Sequence, residues 1–160
     1  MSQNTPSQTP IISGPLWDQA SLCAPILRAL PGWFGIESAT QQYIEEIDHL
    51  PTFLAQAGVE TIGFLSLKQH NPHAAEIYVM GVQPAWHRTG TGRALVEAAQ
   101  DWLRAQNVDY LQVKTLADTH PDLLYARTRV FYESMGFKPL EVFPTLWDTD
   151  NPCLLLVKVL

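Results

Sequence analysis

The sequence predicts an α+β fold, with a mixed, mostly antiparallel central sheet of six to seven strands flanked by about four helices. Three observations predict it. Alternating apolar stretches separated by short turns follow one another between residues 52 and 82, which is typical of antiparallel strands. Strand and helix patterns then alternate up to residue 136, which places helices on the faces of the sheet. Near the C terminus, the apolar run Leu154–Val157 indicates an inner strand covered on both faces.

The individual elements follow from apolar periodicity and from the prolines and glycines that interrupt it. The predicted helices are Asp18–Leu30 with Asp18 as its N-cap, Glu37–His49, a helix from His87 to about Arg104, and Tyr125–Met135, ended by Gly136. The predicted strands are Ile11–Ser13, Thr52–Gln56, Thr61–Lys68, Ala75–Val82, Tyr110–Thr115, Val142–Leu146 and Pro152–Leu160.

Length and composition favour one globular domain. A chain of 160 residues, 46% of them hydrophobic, can bury a core without disulfides or metals. The polar residues 1–9 are predicted to form a flexible tail, so the domain covers residues 10–160. The chain has no apolar run long enough to span a bilayer, and its start lacks the basic-then-apolar order of a signal peptide. We therefore expect a cytoplasmic protein that does not bind membranes.

Charge and ligand-type residues exclude two further classes. The net charge is -6, from 10 basic and 16 acidic residues, which argues against general nucleic-acid binding. This balance is compatible with a cationic amine substrate, although plain solubility explains the charge alone better. Cys23 and Cys153 have no metal-like or redox-like spacing, and none of the five histidines forms an H-x-x-x-H pair. No metal site is predicted.

A glycine-bearing turn after the strand Ala75–Val82 is the most informative segment. Pro84 breaks the strand, and Gly90-Thr91-Gly92 opens an amphipathic helix. The first turn of a helix leaves backbone N–H groups without partners, and glycines let a ligand approach them closely. Such a turn can bind a pyrophosphate, and Arg88 and Arg93 add positive charge.

Three interpretations of this turn compete. A Walker loop is excluded, because no Gly-Lys-Ser/Thr follows. A dinucleotide fingerprint is weak, since Leu95 stands where the third glycine or alanine is expected. The third interpretation is an ordinary helix start with turn glycines and no ligand.

Two motifs resemble those of the GCN5-related N-acetyltransferase (GNAT) superfamily. His87-Arg88-Thr89-Gly90-Thr91-Gly92 is similar to the acetyl-CoA motif Q/R-x-x-G-x-G/A, with His87 in place of the first Gln or Arg. Phe131-Tyr132-Glu133-Ser134-Met135-Gly136-Phe137 is similar to the pattern F-Y-x-x-x-G-F. The resemblance covers about Ala75–Phe137, and the joint occurrence of both motifs makes it fairly specific.

The resemblance implies a GNAT-like sheet and acetyl-CoA as the acyl donor, with no metal. It implies that the end of the strand pairs with the pantetheine arm and that backbone amides of the turn surround the pyrophosphate. The implied cofactor-binding residues are Met80, Gly81, Val82, His87, Arg88, Thr89, Gly90, Thr91, Gly92 and Arg93. Gly81 suits close approach of a ligand to the strand.

The resemblance also implies catalytic residues. Tyr132 resembles the family's general acid, which protonates the leaving thiolate. Glu76 resembles the glutamate that histone acetyltransferases of this superfamily use as general base, and a partly apolar cleft is expected to raise its pKa. A core tyrosine and a solvated glutamate are the structural alternatives, and many family members use a water chain instead of one base.

The acceptor is predicted to be a primary amine of a small molecule or peptide. Trp33, Phe34 and Glu37 lie between the first two helices, where the family builds its acceptor wall, so cation–π and charge attraction could hold an ammonium there. A hydrophobic plug over the sheet is the alternative. The resemblance leaves a homodimer open, because superfamily members are often dimers. A non-catalytic acyl-CoA-binding or protein-interaction module on the same fold is the alternative function, and a different acyl donor also stays open.

Overall fold

The computed structural model describes residues 9–160, which contain seven strands and four α-helices. The predicted tail, residues 1–9, lies outside the described residues except for Thr9. In chain order the elements are β1 (Ile11–Leu16), α1 (Ala20–Arg28), α2 (Glu37–Ile47), β2 (Thr52–Ala57), β3 (Glu60–Asn71), β4 (Ala74–Val82), α3 (Thr91–Ala105), β5 (Tyr110–Leu116), α4 (Leu123–Ser134), β6 (Lys138–Asp148) and β7 (Asn151–Val159).

The strands pair in the order β1-β2-β3-β4-β5-β7-β6. β4 and β5 run parallel, whereas β1 with β2, β2 with β3, β5 with β7 and β6 with β7 run antiparallel. The parallel pair is the one joined through a helix, α3, as a parallel connection requires. The predicted fold class, a mixed and mostly antiparallel sheet with four helices, is confirmed. β7 lies between β5 and β6, so the apolar run that predicted an inner strand is also correctly placed.

The described chain divides into two compact units. The first comprises residues up to Ser66 together with Met80–Ala99. Its core includes apolar side chains of α1, α2, β2, β3 and α3 that are at most 2% exposed, among them Ile26, Leu27, Ile47, Phe53, Leu54, Ile62, Phe64, Leu65, Leu95 and Val96. This unit contains the glycine-bearing turn and its flanking strand end.

The second unit comprises Leu67–Val79 and Gln100–Leu160. Its core includes apolar side chains from the end of α3, from β5 and from β7, together with Phe137, which follows the turn after α4. Side chains at most 2% exposed include those of Leu103, Leu111, Val113, Phe137 and Leu156. Both motif-bearing segments therefore rest on buried apolar layers. Among the described residues, no helix combines the length and apolar character that crossing a bilayer demands.

The start of α1 differs from the prediction. The N-cap is Gln19 rather than Asp18, and Asp18 has a positive φ of 59°. The first helical N–H, that of Ala20, donates to the Asp48 carboxylate at 2.9 Å. An acceptor at the end of α2 therefore does the work that the sequence assigned to a neighbouring residue, because an N–H needs only a nearby oxygen and not a local one.

The start of α3 also differs, whereas the end of α4 is as predicted. The chain after β4 forms a single 3₁₀ turn, Pro84–Trp86, and α3 begins at Thr91 and not at His87. Apolar periodicity could not separate a loop of four residues from the first turn of a helix. α4 ends at Ser134, and Gly136 follows with φ +93°, the backbone conformation that glycine adopts most readily.

Candidate active site

The loop that opens α3 has an unusual backbone. Arg88 and Gly90 have positive φ angles of 61° and 87°, and Thr89 between them does not. Alternating left- and right-handed residues turn successive N–H groups toward the same side of the chain, which creates an anion-binding concavity. A Cβ added at Gly90 would meet nothing within 4 Å, so glycine is required there by its φ angle and not by lack of space.

The backbone amides of this loop have no partners in the described chain. On one side, His87 N–H donates to Pro84 O at 3.2 Å, and on the other Ala94 N–H donates to Gly90 O at 3.0 Å. Between them, no hydrogen bond within residues 9–160 uses the N–H of Arg88–Arg93. Arg88 and Arg93 are exposed, and Arg93 lies 4.0 Å from Glu97. The loop therefore offers several N–H donors, the positive end of α3 and two arginines to an anion.

The two threonines of the loop fix its shape. The Thr89 hydroxyl donates to Trp86 O at 2.6 Å, and Thr91 Oγ1, at 2.8 Å, then donates to Thr89 Oγ1. Thr91 is only 3% exposed. Both hydroxyl hydrogens are thus used inside the loop, which leaves the backbone N–H groups of Thr89 and Thr91 as its outward donors.

His87 contacts the end of β4 through its side chain. Its Nε2–H donates to Val82 O at 2.7 Å, which fixes the tautomer, and its ring meets Trp33 edge-on with 5.8 Å between centroids. In the motif His87 stands where Gln or Arg is usual. Here the imidazole holds the strand end and the α1–α2 loop.

Gly81 is explained by packing. A Cβ at Gly81 would lie 3.1 Å from Leu30 Cδ1 and 3.2 Å from Ile26 Cγ2, so α1 occupies the space that a side chain would need. This packing is a second reason for glycine at this position, and the expectation that close approach of a ligand favours it stays a prediction. Glycine allows α1 to pack closely on β4, and the neighbours Met80 and Val82 are half-buried.

The end of β4 leaves its ladder with β5. The parallel register pairs Ala74–Ile77 with Tyr110–Val113, and Met80–Val82 continue beyond the last of these pairs. On the β3 side, Gln83 N–H still donates to Ile62 O at 2.8 Å. The strand end is thus held on its β3 side beyond the point where its pairing with β5 ends.

Glu76 lies in a cluster of donors. Its carboxylate is 2.7 Å from His70 Nε2, 2.9 Å from Gln112 Nε2, and 3.1 Å and 3.4 Å from Lys114 Nζ, and Glu76 is 5% exposed. Strand alternation explains the grouping, because Glu76 pairs with Gln112 across the β4–β5 ladder and Lys114 lies two residues further along the same face. A buried carboxylate is tolerated here because it is paired and hydrogen-bonded.

The expected rise in the pKa of Glu76 is wrong. Burial alone raises this pKa, but hydrogen bonds from Gln112 and His70 and the charge of Lys114 lower it by more, so that the pKa lies below its usual value. Glu76 is therefore an ionised, fully engaged carboxylate at neutral pH. A carboxylate in this state is a weak proton acceptor.

Tyr132 lies on α4, 6% exposed, between the rings of Phe131 and Phe137 at centroid distances of 5.3 Å and 5.6 Å. Burial, with a smaller effect of Tyr125, raises the pKa of the phenol well above its usual value. The hydroxyl is therefore protonated at neutral pH. No hydrogen bond within residues 9–160 occupies it, so it can donate to a ligand.

The three predicted acceptor residues each have a different partner among the contacts described. The Trp33 ring faces His87, whereas the Phe34 ring meets Tyr43 edge-on at 5.9 Å. The Glu37 carboxylate is 73% exposed and forms an ion pair with Arg28.

Sequence reasoning missed the partners of Glu76. His70, Gln112 and Lys114 lie on β3 and β5, up to 38 residues away along the chain. The available signal was the alternation of Gln112 and Lys114 on one strand face, but the register that brings this face to Glu76 is a property of the assembled sheet.

Comparison with known proteins identifies the family. The family profile described as "Acetyltransferase (GNAT) domain" matches residues 48–139, more than half of the chain. Two curated relatives are both named mycothiol acetyltransferase. The one from Beutenbergia cavernae is 40% identical over 76 residues, 48% of this chain and 24% of the relative. The one from Corynebacterium glutamicum is 33% identical over 84 residues, 52% of this chain and 27% of the relative. The matches span about a quarter of the length of these relatives.

Solved structures share the fold over almost the whole chain. A GNAT-family protein from Desulfovibrio desulfuricans has a TM-score of 0.79 and 18% identity, covering 94% of this chain and 99% of its own. An aminoglycoside 6'-N-acetyltransferase complexed with coenzyme A has a TM-score of 0.73 and 19% identity, covering 93% and 96%. The aminoglycoside 6'-N-acetyltransferase from Enterococcus faecium has a TM-score of 0.70 and 20% identity, with the same coverage. At these identities the likeness concerns the fold.

Proposed function

This chain belongs to the GNAT acetyltransferase family, and we propose that it transfers the acetyl group of acetyl-CoA to a primary amine of a small molecule or peptide. The amine attacks directly in a ternary complex, and residues 10–160 act as one acyl-CoA N-acyltransferase domain. The observation that carries this proposal is the set of backbone N–H groups at Arg88–Arg93 that donate to no acceptor in the described chain. A diphosphate needs many hydrogen-bond donors, and these can bind it without first breaking an internal hydrogen bond.

The fit to coenzyme A comes from two features of this chain. The loop amides, with Arg88 and Arg93, hold the pyrophosphate, and Gly90 supplies the φ angle that turns them outward. The backbone of Met80–Val82 holds the pantetheine arm, because pairing with β5 ends at Ile77. Bound acetyl-CoA supplies a thioester, whose carbonyl carbon accepts the amine. His87 acts indirectly, by holding Val82 O in place.

Tyr132 is the proposed general acid. The amine nitrogen forms a bond to the acetyl carbon, the carbon–sulfur bond breaks, and the sulfur leaves with the electron pair. A neutral phenol can donate its proton to that thiolate, and the buried Tyr132 hydroxyl is in the donating form. Its raised pKa disfavours a lasting phenolate, so the tyrosine recovers its proton from solvent afterwards.

Two candidates remain for the base that deprotonates the incoming ammonium. Glu76 occupies the position that the resemblance assigns to the base, and a water chain is the alternative. The lowered pKa of Glu76 and its four donor contacts favour an indirect role for this carboxylate. We infer that Glu76 orients the group that takes the proton.

The acceptor is proposed from chemistry and from the relatives together. Mycothiol and aminoglycoside acetyltransferases are named for small-molecule acceptors, which supports a small amine for this chain as well. Trp33, Phe34 and Glu37 remain the proposed acceptor residues, with Glu37 available once its exposed pair with Arg28 opens. A homodimer is part of the proposal, since the family often forms one.

Thiol release with acetyl-CoA and an amine panel tests the function, with Tyr132→Phe as the diagnostic variant. Removing one proton donor lowers the rate by about 10²- to 10⁴-fold, while acetyl-CoA binding, followed by the rise in melting temperature, is retained. Tyr110→Phe is the matched control, because Tyr110 is 48% exposed at the start of β5, and it retains the rate.

Two outcomes contradict the proposal in different ways. If acetyl-CoA raises the melting temperature but no amine releases thiol, the chain is the non-catalytic acyl-CoA-binding module. If Tyr132→Phe matches the wild type in rate, Tyr132 is a core residue and another group protonates the thiolate.

A further inference from the structure

A histidine beside Glu76 completes an arrangement that the motifs do not contain. His70 Nε2 lies 2.7 Å from Glu76 Oε1, and the His70 side chain is 35% exposed whereas that of Glu76 is 7% exposed. The carboxylate is therefore buried behind the imidazole. Because a carboxylate oxygen only accepts, His70 Nε2 carries the hydrogen in this contact.

That contact fixes which nitrogen can accept a proton. With the hydrogen on Nε2, the neutral ring has its lone pair on Nδ1, and no hydrogen bond within residues 9–160 engages Nδ1. A buried carboxylate that orients an imidazole and stabilises its charged form is the arrangement that makes histidine an effective base. Glu76 is itself held by Gln112 and Lys114, so its orientation does not depend on His70.

The neighbouring charged and titratable groups come from four strands. On the same strand faces, β3 contributes Lys68, β4 contributes Tyr78 and β5 contributes Lys114, while Cys153 of β7 lies close enough for Lys114 and Glu76 to affect its pKa. Lys68 Nζ lies 5.3 Å from the centre of the Tyr78 ring. Burial raises the pKa of the Cys153 thiol to about 11, so this cysteine does not compete as a base.

We propose that His70 is the general base of the acetyl transfer, with Nδ1 accepting the proton of the incoming ammonium and Glu76 positioning the ring. This inference rests on the proposed acetyl transfer. One ammonium proton passes to His70 Nδ1 and from there to solvent, which frees the nitrogen lone pair for attack. The second proton lost from nitrogen as the amide forms balances the one that the leaving thiolate takes up.

Steady-state rates of four variants on an amine that the wild type acetylates test the proposal. His70→Gln lowers kcat by about 10²-fold or more, with acetyl-CoA binding retained. Added imidazole restores part of the rate to His70→Ala. Glu76→Gln lowers kcat less than His70→Gln, because it weakens the orientation of the base without removing it.

His73→Gln is the matched control. His73, in the β3–β4 turn, also pairs with a carboxylate, that of Asp109 just before β5, at 3.0 Å, but this pair is exposed, with 73% and 57% of the two side chains accessible. We expect the wild-type rate from His73→Gln. In a profile of kcat/KM against pH, the decrease on the acidic side persists in His73→Gln and is lost in His70→Gln.

The outcomes separate this inference from the proposed function. A wild-type protein that acetylates amines, together with a His70→Gln variant of unchanged rate, overturns His70 alone. A Glu76→Gln variant that is inactive beside an active His70→Gln assigns the base to Glu76 itself. A wild type that binds acetyl-CoA and acetylates no amine refutes the proposed function and this inference with it. Absence of imidazole rescue in a folded His70→Ala variant also counts against His70.

Discussion

Replacing each of the two glycines of the loop by alanine should shift stability in opposite directions. Gly90 has φ +87°, and a Cβ there meets no atom within 4 Å, so the cost of Gly90→Ala is conformational only. A residue with a side chain in the left-handed region costs about 1–2 kcal/mol. Gly92 lies in the first turn of α3, where alanine is favoured over glycine by up to about 1 kcal/mol.

These energies translate into measurable shifts. For a chain of this size, 1 kcal/mol corresponds to about 2–4 °C in melting temperature. We therefore expect Gly90→Ala to lower the melting temperature by about 2–8 °C and Gly92→Ala to raise it by up to about 4 °C. If the strained loop relaxes when it is empty, acetyl-CoA must restore it on binding. The same 1–2 kcal/mol then weakens affinity by a factor of about 5 to 30, in place of lowering the melting temperature of the empty protein.

Thermal melting with and without acetyl-CoA, and calorimetric titration of the cofactor, measure both effects. Gly92→Ala is the matched control, since it adds the same methyl group two residues away, at a position where the family motif accepts alanine. If Gly90→Ala melts and binds like the wild type, the loop does not depend on its backbone angle. If both variants lose the same affinity, the methyl group blocks the ligand and backbone strain is not the cause.

Two other predictions concern Glu76 and Asp48. Glu76→Gln should lower the free energy of unfolding at pH 7 by about 1–3 kcal/mol, since partly buried donors lose a charged acceptor. Because the folded pKa is lowered, this stabilisation is full above the unfolded value of about 4.3 and is lost as pH falls below it. Urea unfolding between pH 7 and pH 3 should show the difference from wild type shrinking; a growing difference would contradict the pairing. Asp48→Ala should lower the free energy of unfolding by about 0.5–2 kcal/mol by removing the acceptor of Ala20 N–H, and Asp48→Asn by less. Equal losses for Asn and Ala in the same urea assay would show that this hydrogen bond contributes little.

The fold class and most elements could be predicted because they depend on local periodicity. The apolar run of β3, the alternation in the second half of β4 and the glycine that follows α4 are properties of neighbouring residues, and each gives the same signal in any context. The start of α3 could not be placed, since Arg88 and Gly90 take backbone angles that the sequence alone does not indicate. The predicted N-cap of α1 was wrong for another reason, because the acceptor of the Ala20 N–H is the Asp48 carboxylate, 28 residues further along the chain.

By itself the sequence determined the two motifs, the family resemblance they carry and the strand–turn–helix order that can bind a diphosphate. Only the tertiary structure decided what the side chains around these motifs do. It turned His87 toward Val82 O, gave Gly81 a packing role against α1, and enclosed Glu76 with donors from β3 and β5. The physical reason is that the pKa, burial and hydrogen bonds of a side chain depend on neighbours brought together by strand register, and that register is fixed only when the whole sheet assembles.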